Sequence, residues 1–201
     1  MVTAADGGQR AHTVDETIRA STTTEGLAKL SPSFASDAMG KRFPEIDWQI
    51  TPGNSSPLTD GASAMLIMEE SLANALGLRA RARFHTFAVE GDDPLLMLTA
   101  PIPATARVLD KAGLSVDAID AFEVNEAFAP VPLAWLRETG ADPARLNPRG
   151  GAIALGHALG ASGTRLMTTL LNHLETTGGR YGLQTMCEGG GMANATIIER
   201  L

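Results

Sequence analysis

The chain has a single cysteine in 201 residues, so no internal disulfide can form and a reducing, cytoplasmic location is expected. Aromatic residues make up only 4%, which argues against a stacking platform for single-stranded nucleic acid. A formal net charge of −7 argues against a surface built to track phosphates, so no nucleic-acid partner is expected. Long apolar runs are also lacking. Stretches such as ASAMLIM are far too short to cross a bilayer, and no membrane partner is expected. The opening MVTAADGGQRAHTVDETIRAS has no apolar core of the kind a secretory signal needs. Four scattered histidines do not make a zinc-ligand set, so no metal is expected.

What is present is a globular composition, 44% hydrophobic, in a length that suits one good-sized domain. Residues 1–60 are polar and loop-like, with a short helical possibility at Thr24–Leu30. From Ala62 to Met68 the chain is apolar on nearly every face. This reads as a buried helix that ends at Gly77. ARARFHTFAVEG alternates as a strand, and a helix from about Pro103 to Ala112 stops at Gly113. DAFEV reads as a short strand, with NEAFA opening the next helix. In GTRLMTTLLNHLETTGG, the residues Leu166, Met167, Leu170, Leu171 and Leu174 fall at helical spacing, with Arg165, Thr169, Asn172 and His173 on the polar face. LQTMC and ANATIIE close the chain as strands. Alternating strands and helices predict an α/β fold, a sheet with helices on both faces.

Three stretches carry candidate chemistry. RGGAIALGHALGASG holds five glycines between positions 150 and 163 and leads into a helix whose amides could meet an anion or a developing oxyanion. Its spacing fits neither the dinucleotide fingerprint nor the hydrolase nucleophile elbow, and a tight strand-to-helix turn is the plain alternative. His157 lies inside it between Gly156 and Ala158, which leaves the imidazole approachable and able to move protons near neutrality. His12, His85 and His173 take the ordinary surface or core reading. In QTMCEGGGMANA, Cys187 ends a predicted strand and precedes Gly189, Gly190 and Gly191. An inert buried thiol is the common case, and a reactive one needs a base or cation nearby. Asn125-Glu126 reads either as an ordinary helix start or as an amide held rigidly where it can orient a water or an oxyanion.

Taken together, VNEAFA, GGAIALGHALGASG and MCEGGGMANA resemble, in order and spacing, the C-terminal half of the thiolase family, and GNSSPLTDGASA resembles the family's GNAS-G-DGAAA stretch. The likeness runs from about Asp15 to Leu201. It implies a thiolase-like C-terminal half, a mixed β-sheet covered by helices on both faces. Residues 1–50 would then be a remnant of the loop and N-terminal region, and residues 51–201 the C-terminal domain. It implies that Cys187 is the acid/base that moves a proton on the α-carbon of an acyl-CoA, and that Gly189 supplies a backbone amide to the acyl oxygen. It implies further that His157 activates the acyl-accepting cysteine and donates to the enolate oxygen. Asn125 would hold a water in that oxyanion hole, and Ser56 would touch the pantetheine arm of coenzyme A. Each oxyanion donor is typically worth ~3 kcal/mol.

Three departures matter. The family's acyl-accepting cysteine has no counterpart in these residues, Ala158 replaces the usual proline after the histidine, and Pro57 stands where glycine is common. The resemblance implies a thiolase acyltransferase half in fatty acid and lipid metabolism, with coenzyme A and acyl-CoA thioesters as substrates and no permanently bound cofactor. Its expected partner is a thiolase N-terminal half or another copy of itself. The alternative is a catalytically inactive module that binds acyl-CoA or a protein; retention of Asn125, His157 and Cys187 together speaks against it. A Cys–His hydrolase built on Cys187 has no activating precedent in this motif.

Overall fold

The computed structural model describes residues 1–3 and 5–201, in two compact units, Met1–Ser31 and Pro32–Leu201. In the first, strands β1 (Val2–Thr3) and β2 (Gln9–Arg10) pair antiparallel with Val2 opposite Arg10. Helix α1 (Thr24–Leu27) starts where the Thr23 hydroxyl accepts from the Gly26 amide, an ordinary N-cap.

The second unit begins with α2 (Asp37–Arg42), capped by Ser36. Residues 61–69 then form neither helix nor strand. The helix expected at Ala62–Met68 is therefore not formed. A run apolar on all faces fits a two-sided buried strand as well as a buried helix, and periodicity cannot separate them. Here the segment is largely open, with Leu66 78% exposed. Helix α3 (Glu70–Ala75) follows. It ends as the sequence predicts: Gly77 takes φ +67°, its amide reaches the Asn74 carbonyl, and the Leu78 amide reaches Ala73, which is the Schellman pattern.

Strand β3 (Ala82–Gly91), helix α4 (Pro101–Ala112) and strand β4 (Ala121–Val124) come next. They lead to α5 (Pro130–Thr139), the single turn α6 (Ala152–Leu155), α7 (Ser162–Thr177), β5 (Tyr181–Glu188) and β6 (Met192–Arg200). The sheet order is β3-β6-β5-β4; β4 and β5 are parallel and the other two pairings antiparallel. This is the mixed sheet expected. Helix α5 starts at Pro130 rather than in NEAFA, because residues 125–129 are drawn into the site described below.

Side chains alternate across the sheet as strand geometry requires. Phe122, Val124, Leu183 and Ile197 face α4 and α5 in one core layer, with Val108, Val131 and Trp135. Ala121 and Ile198 face α7, where Met167, Leu170, Leu171 and Leu174 cover them. The leucine stripe of α7 thus finds its cover within this chain. Gly182 is small by necessity, since a Cβ there would stand 2.7 Å from Leu170 Cγ. The guanidinium end of Arg165, expected on the solvated face of α7, instead has both Nη atoms buried.

Trp135 joins α5 to α4: its Nε1 donates to Thr105 Oγ1 at 2.8 Å, and its ring meets Phe122 edge-on at 5.1 Å. Both Trp135 and Thr105 are fully buried. Trp135→Phe should lower unfolding free energy by about 2–4 kcal/mol, from the void and the stranded hydroxyl together. Urea denaturation measures it; a change within about 0.5 kcal/mol would show that this contact does not hold the layer.

Candidate active site

Because β4 and β5 are parallel, their C-terminal ends share one edge of the sheet, the edge where open α/β sheets place ligands. Asn125 follows β4 directly, and its amide donates to the Thr185 carbonyl. The end of β4 is fixed from the other side by Asn147. The Asn147 side chain accepts from the Val124 amide at 2.9 Å and donates to the Val124 carbonyl at 2.9 Å, so one side-chain amide replaces a neighbouring strand. Asn147 Nδ2 also donates to Glu126 Oε1, and Glu126 Oε2 accepts from the Ile153 amide in the first turn of α6. That carboxylate lies where a Cβ on Gly151 would be, 1.9 Å from its Cδ, so position 151 has room only for glycine. Glu126 thus caps α6, not the helix that follows it in sequence.

Helix α6 ends at Gly156, φ +92°, where a Cβ would meet Thr59 Oγ1 at 2.5 Å. His157 comes next, its amide donating to the Pro57 carbonyl. The imidazole is held at both nitrogens. Nδ1 lies 2.7 Å from Ser162 Oγ, and that hydroxyl donates to the Ala158 carbonyl at 2.9 Å. The single hydroxyl proton is thereby committed, so Nδ1 carries the ring proton and Nε2 is the free base. Asn125 Nδ2 approaches Nε2 at 3.4 Å. Burial, followed by the charge of Arg165, holds the His157 pKa below its ordinary value and keeps the ring neutral. Asn125 Oδ1 is buried with no hydrogen-bond partner among the described residues, an acceptor left free for a water or ligand.

Cys187 stands near the end of β5, two residues past the partner of Val124, opposite Ala193. It packs against the α4–α5 layer, while Asn125 and His157 form their contact beside the first turn of α7. Among the described residues no hydrogen bond joins the Cys187 thiol to either. Burial, and to a lesser degree the charge of Glu188, raises the thiol pKa above its ordinary value. The three glycines beyond it serve different ends. Gly191 has φ +79°, and a Cβ would fall 2.8 Å from the Asp92 carbonyl oxygen, so the chain there needs glycine. Around Gly189 nothing lies within 4 Å of a Cβ; its backbone is simply open to approach. Ser56 is tied to the same region, with its hydroxyl and amide both reaching the Ala127 carbonyl at 3.1 Å. An open cavity of ≈ 410 Å³ lies between Thr59–Ser63 and Ala158–Ala161, one residue from His157 and away from Cys187.

Ser162, Asn147, Glu123 and Arg165 escaped sequence reasoning. Glu123 left a signal, a lone charge in the apolar strand AFEV. The Asn-Pro pair at 147–148 marks a turn but not the sheet-like bonding of its side chain. Nothing in the spacing of Ser162 or Arg165 separates them from other helix residues. Among the described residues, no group of three or more His, Cys, Asp or Glu could hold a metal, and no helix is long and apolar enough to cross a membrane.

Two measurements follow from this geometry. Gly191→Ala should lower stability by about 2–4 kcal/mol, whereas Gly189→Ala should stay within about 1 kcal/mol of the parent. Equal losses by thermal unfolding would contradict the distinction. The Cys187 thiol, protonated at neutral pH, should react with iodoacetamide more slowly than a free cysteine and accelerate only in alkaline solution. Fast, pH-independent labelling near pH 7 would mean that it rests as thiolate.

Comparison with known proteins identifies the family. The family model for the thiolase C-terminal domain matches residues 78–200, and the model for the thiolase N-terminal domain matches residues 1–71. A steroid 3-ketoacyl-CoA thiolase of Mycobacterium tuberculosis is 60% identical over 153 residues, 76% of this chain and 38% of that protein. A 3-ketoacyl-CoA thiolase of Aliivibrio salmonicida is 50% identical over 188 residues, 92% of this chain and 46% of that protein. The crystal structure of the Bacillus anthracis acetyl-CoA acetyltransferase superposes with a TM-score of 0.83 at 35% identity, covering 96% of this chain and 48% of its own. The chain spans about half the length of the relatives it matches, or less. With the C-terminal domain model covering more than half of its residues, this chain belongs to the thiolase family.

Proposed function

We propose that this chain carries the proton-transfer half of a thiolase acyltransferase site, acting on coenzyme A thioesters by thiolysis of a 3-ketoacyl-CoA or the reverse condensation. Its one cysteine, Cys187, occupies the C-x-G-G-G position, so the cysteine that becomes acylated must come from other residues, an N-terminal half on the same or another chain. The observation that carries the reading is His157: a neutral ring with Nδ1–H held by Ser162 and Nε2 presented beside Asn125. Nε2 is then ready to take the proton of an acyl-accepting thiol. The resulting thiolate attacks the 3-keto carbon, and the C–C bond breaks toward the thioester enolate. The imidazolium and the Asn125 amide stabilise the enolate oxygen while the Cys187 thiol gives its proton to the α-carbon. Coenzyme A, surrendering its thiol proton to Cys187, attacks the acyl-enzyme and takes the acyl group, and the released cysteine thiolate recovers its proton from the His157 imidazolium. Cleavage consumes Cys187 in its protonated form, the form that burial maintains. Gly189, with open space around it, offers its amide to the acyl oxygen, and Ser56 lies where the pantetheine arm would pass.

The test joins this chain to the N-terminal portion of the Mycobacterium tuberculosis relative and follows acetoacetyl-CoA thiolysis. The chain alone should show no turnover, and the fusion should show activity. His157→Ala or Cys187→Ala in the fusion should each lower kcat by about 10²-fold or more with little change in KM, since both groups act in the transition state. Near-normal kcat in either variant would reject that residue's role. Tight binding of acyl-CoA without turnover in a well-folded fusion would favour the non-catalytic binding module.

A further inference from the structure

Beneath the first turn of α7 lies a charge that the proposed chemistry does not use. Long basic side chains ordinarily bury the stem and keep the charged head in water. Arg165 does the reverse: both guanidinium Nη atoms are buried and have no hydrogen-bond partner among the described residues. It sits one residue short of a full turn after Ser162, the residue that holds His157 Nδ1. Glu123 faces the same helix from β4, two positions before Asn125, and is fully buried with neither carboxylate oxygen partnered among the described residues. Gln184, opposite Glu123 in register, leaves its Oε1 likewise unpartnered. Glu123 and Asn125 therefore line one side, and Ser162 and Arg165 the other. Asn125 and Ser162 are bridged by His157, and no direct ion pair neutralises the guanidinium among the described residues.

We propose that Arg165 is the positioning residue for His157: its buried, unpartnered guanidinium, about one helical turn from the serine that holds Nδ1, adds to burial in opposing a second positive charge on the imidazole and so leaves Nε2 free until the substrate proton arrives. Such a charge in a poorly solvated interior acts far more strongly than on a surface. The amides at the start of α7 act in the same sense. Among the groups packed around the ring, Asn125 and Ser162 are uncharged and Arg165 is the charged neighbour. The Cys187 thiol is held protonated, and the Glu126 carboxylate is taken up by Asn147 and the Ile153 amide. Burial, against the opposing pull of Arg165, raises Glu123 to about 8, so it is an uncharged acid over the range where His157 titrates and leaves the Arg165 charge in force.

This inference rests on His157 being the base, and its test reads the imidazole itself, so it fails separately from any acyl-transfer assay. The probe is the full chain with ¹⁵N-labelled histidines, titrated by NMR, with the His157 signal assigned by His157→Asn. Wild type should show the Nδ1–H tautomer and a midpoint below that of an exposed histidine. Arg165→Met, close in shape but uncharged, should move the midpoint up toward the exposed value; Arg165→Lys should restore it; Glu123→Gln should leave it in place. A purely structural role would give Lys and Met the same effect, and that result, or no shift in Arg165→Met, overturns the proposal. Should Arg165→Met fail to fold, the wild-type titration decides. Ionisation of Glu123 near pH 8 should offset the Arg165 charge and produce a second, smaller step in the His157 signal. That step should vanish in Glu123→Gln, and its absence in wild type overturns the proposal.

Discussion

The site depends on one side-chain amide. Asn147, at φ 44°, pairs with Val124 through both its oxygen and its nitrogen and, through its own backbone amide, with the Phe122 carbonyl. It thereby completes the open side of β4 at the point where the strand stops. Asn125 emerges from that fixed end, and Glu126 is aimed at α6 by a bond from the same Asn147 nitrogen. Helix α6, a single turn too short to be stable alone, is held by that carboxylate and delivers His157. Strand end, cap, short helix and imidazole form one chain of hydrogen bonds. The Asn125–His157 pair is positioned by polar contacts at a sheet edge, with the apolar layers packed behind that edge.

Much of this was readable from residue order, for stated reasons. Helices with a glycine beyond them, such as α4 and α7, came out within a few residues, because the C-cap glycine marks the stop and in α7 the leucine period agrees with it. Strand β3 followed from alternation, and LQTMC and ANATIIE were read as the closing strands. Asn125, His157 and Cys187 stood out by residue type and setting, Gly189 and Ser56 took their roles from the family resemblance, and the geometry joins Asn125 and His157 directly. The segment 61–69 was misread because a uniformly apolar run has no period to interpret. Ser162 and Arg165 were missed because their significance lies in direction: one hydroxyl turned back toward the loop, one guanidinium turned inward. Residue spacing carries neither.

The same segment also shows how the family's two portions meet in this chain. The N-terminal domain model ends at residue 71 and the C-terminal one begins at 78, so the change falls within α3 and its glycine cap. Before it lies a segment with Leu66 and Ile67 exposed and no strand paired to it among the described residues. After it lies a sheet with its own two core layers. The segment is nonetheless tied to the site, since Ser63 donates to the Ala161 carbonyl and bonds Thr164 at the start of α7.

The overlap of Glu126 with the empty side of Gly151 sets an order on how this site could change over time. Any side chain at 151 must first displace the carboxylate, which would strip the cap from α6 and a bond from Asn147 in one step. Shortening Glu126 first opens the space, but at the cost of the same contacts. Neither position can drift while the other stays as it is. A descendant that altered this pair would have to pass through a form with a loosened His157 loop, so the two positions are physically coupled although 25 positions separate them in the chain.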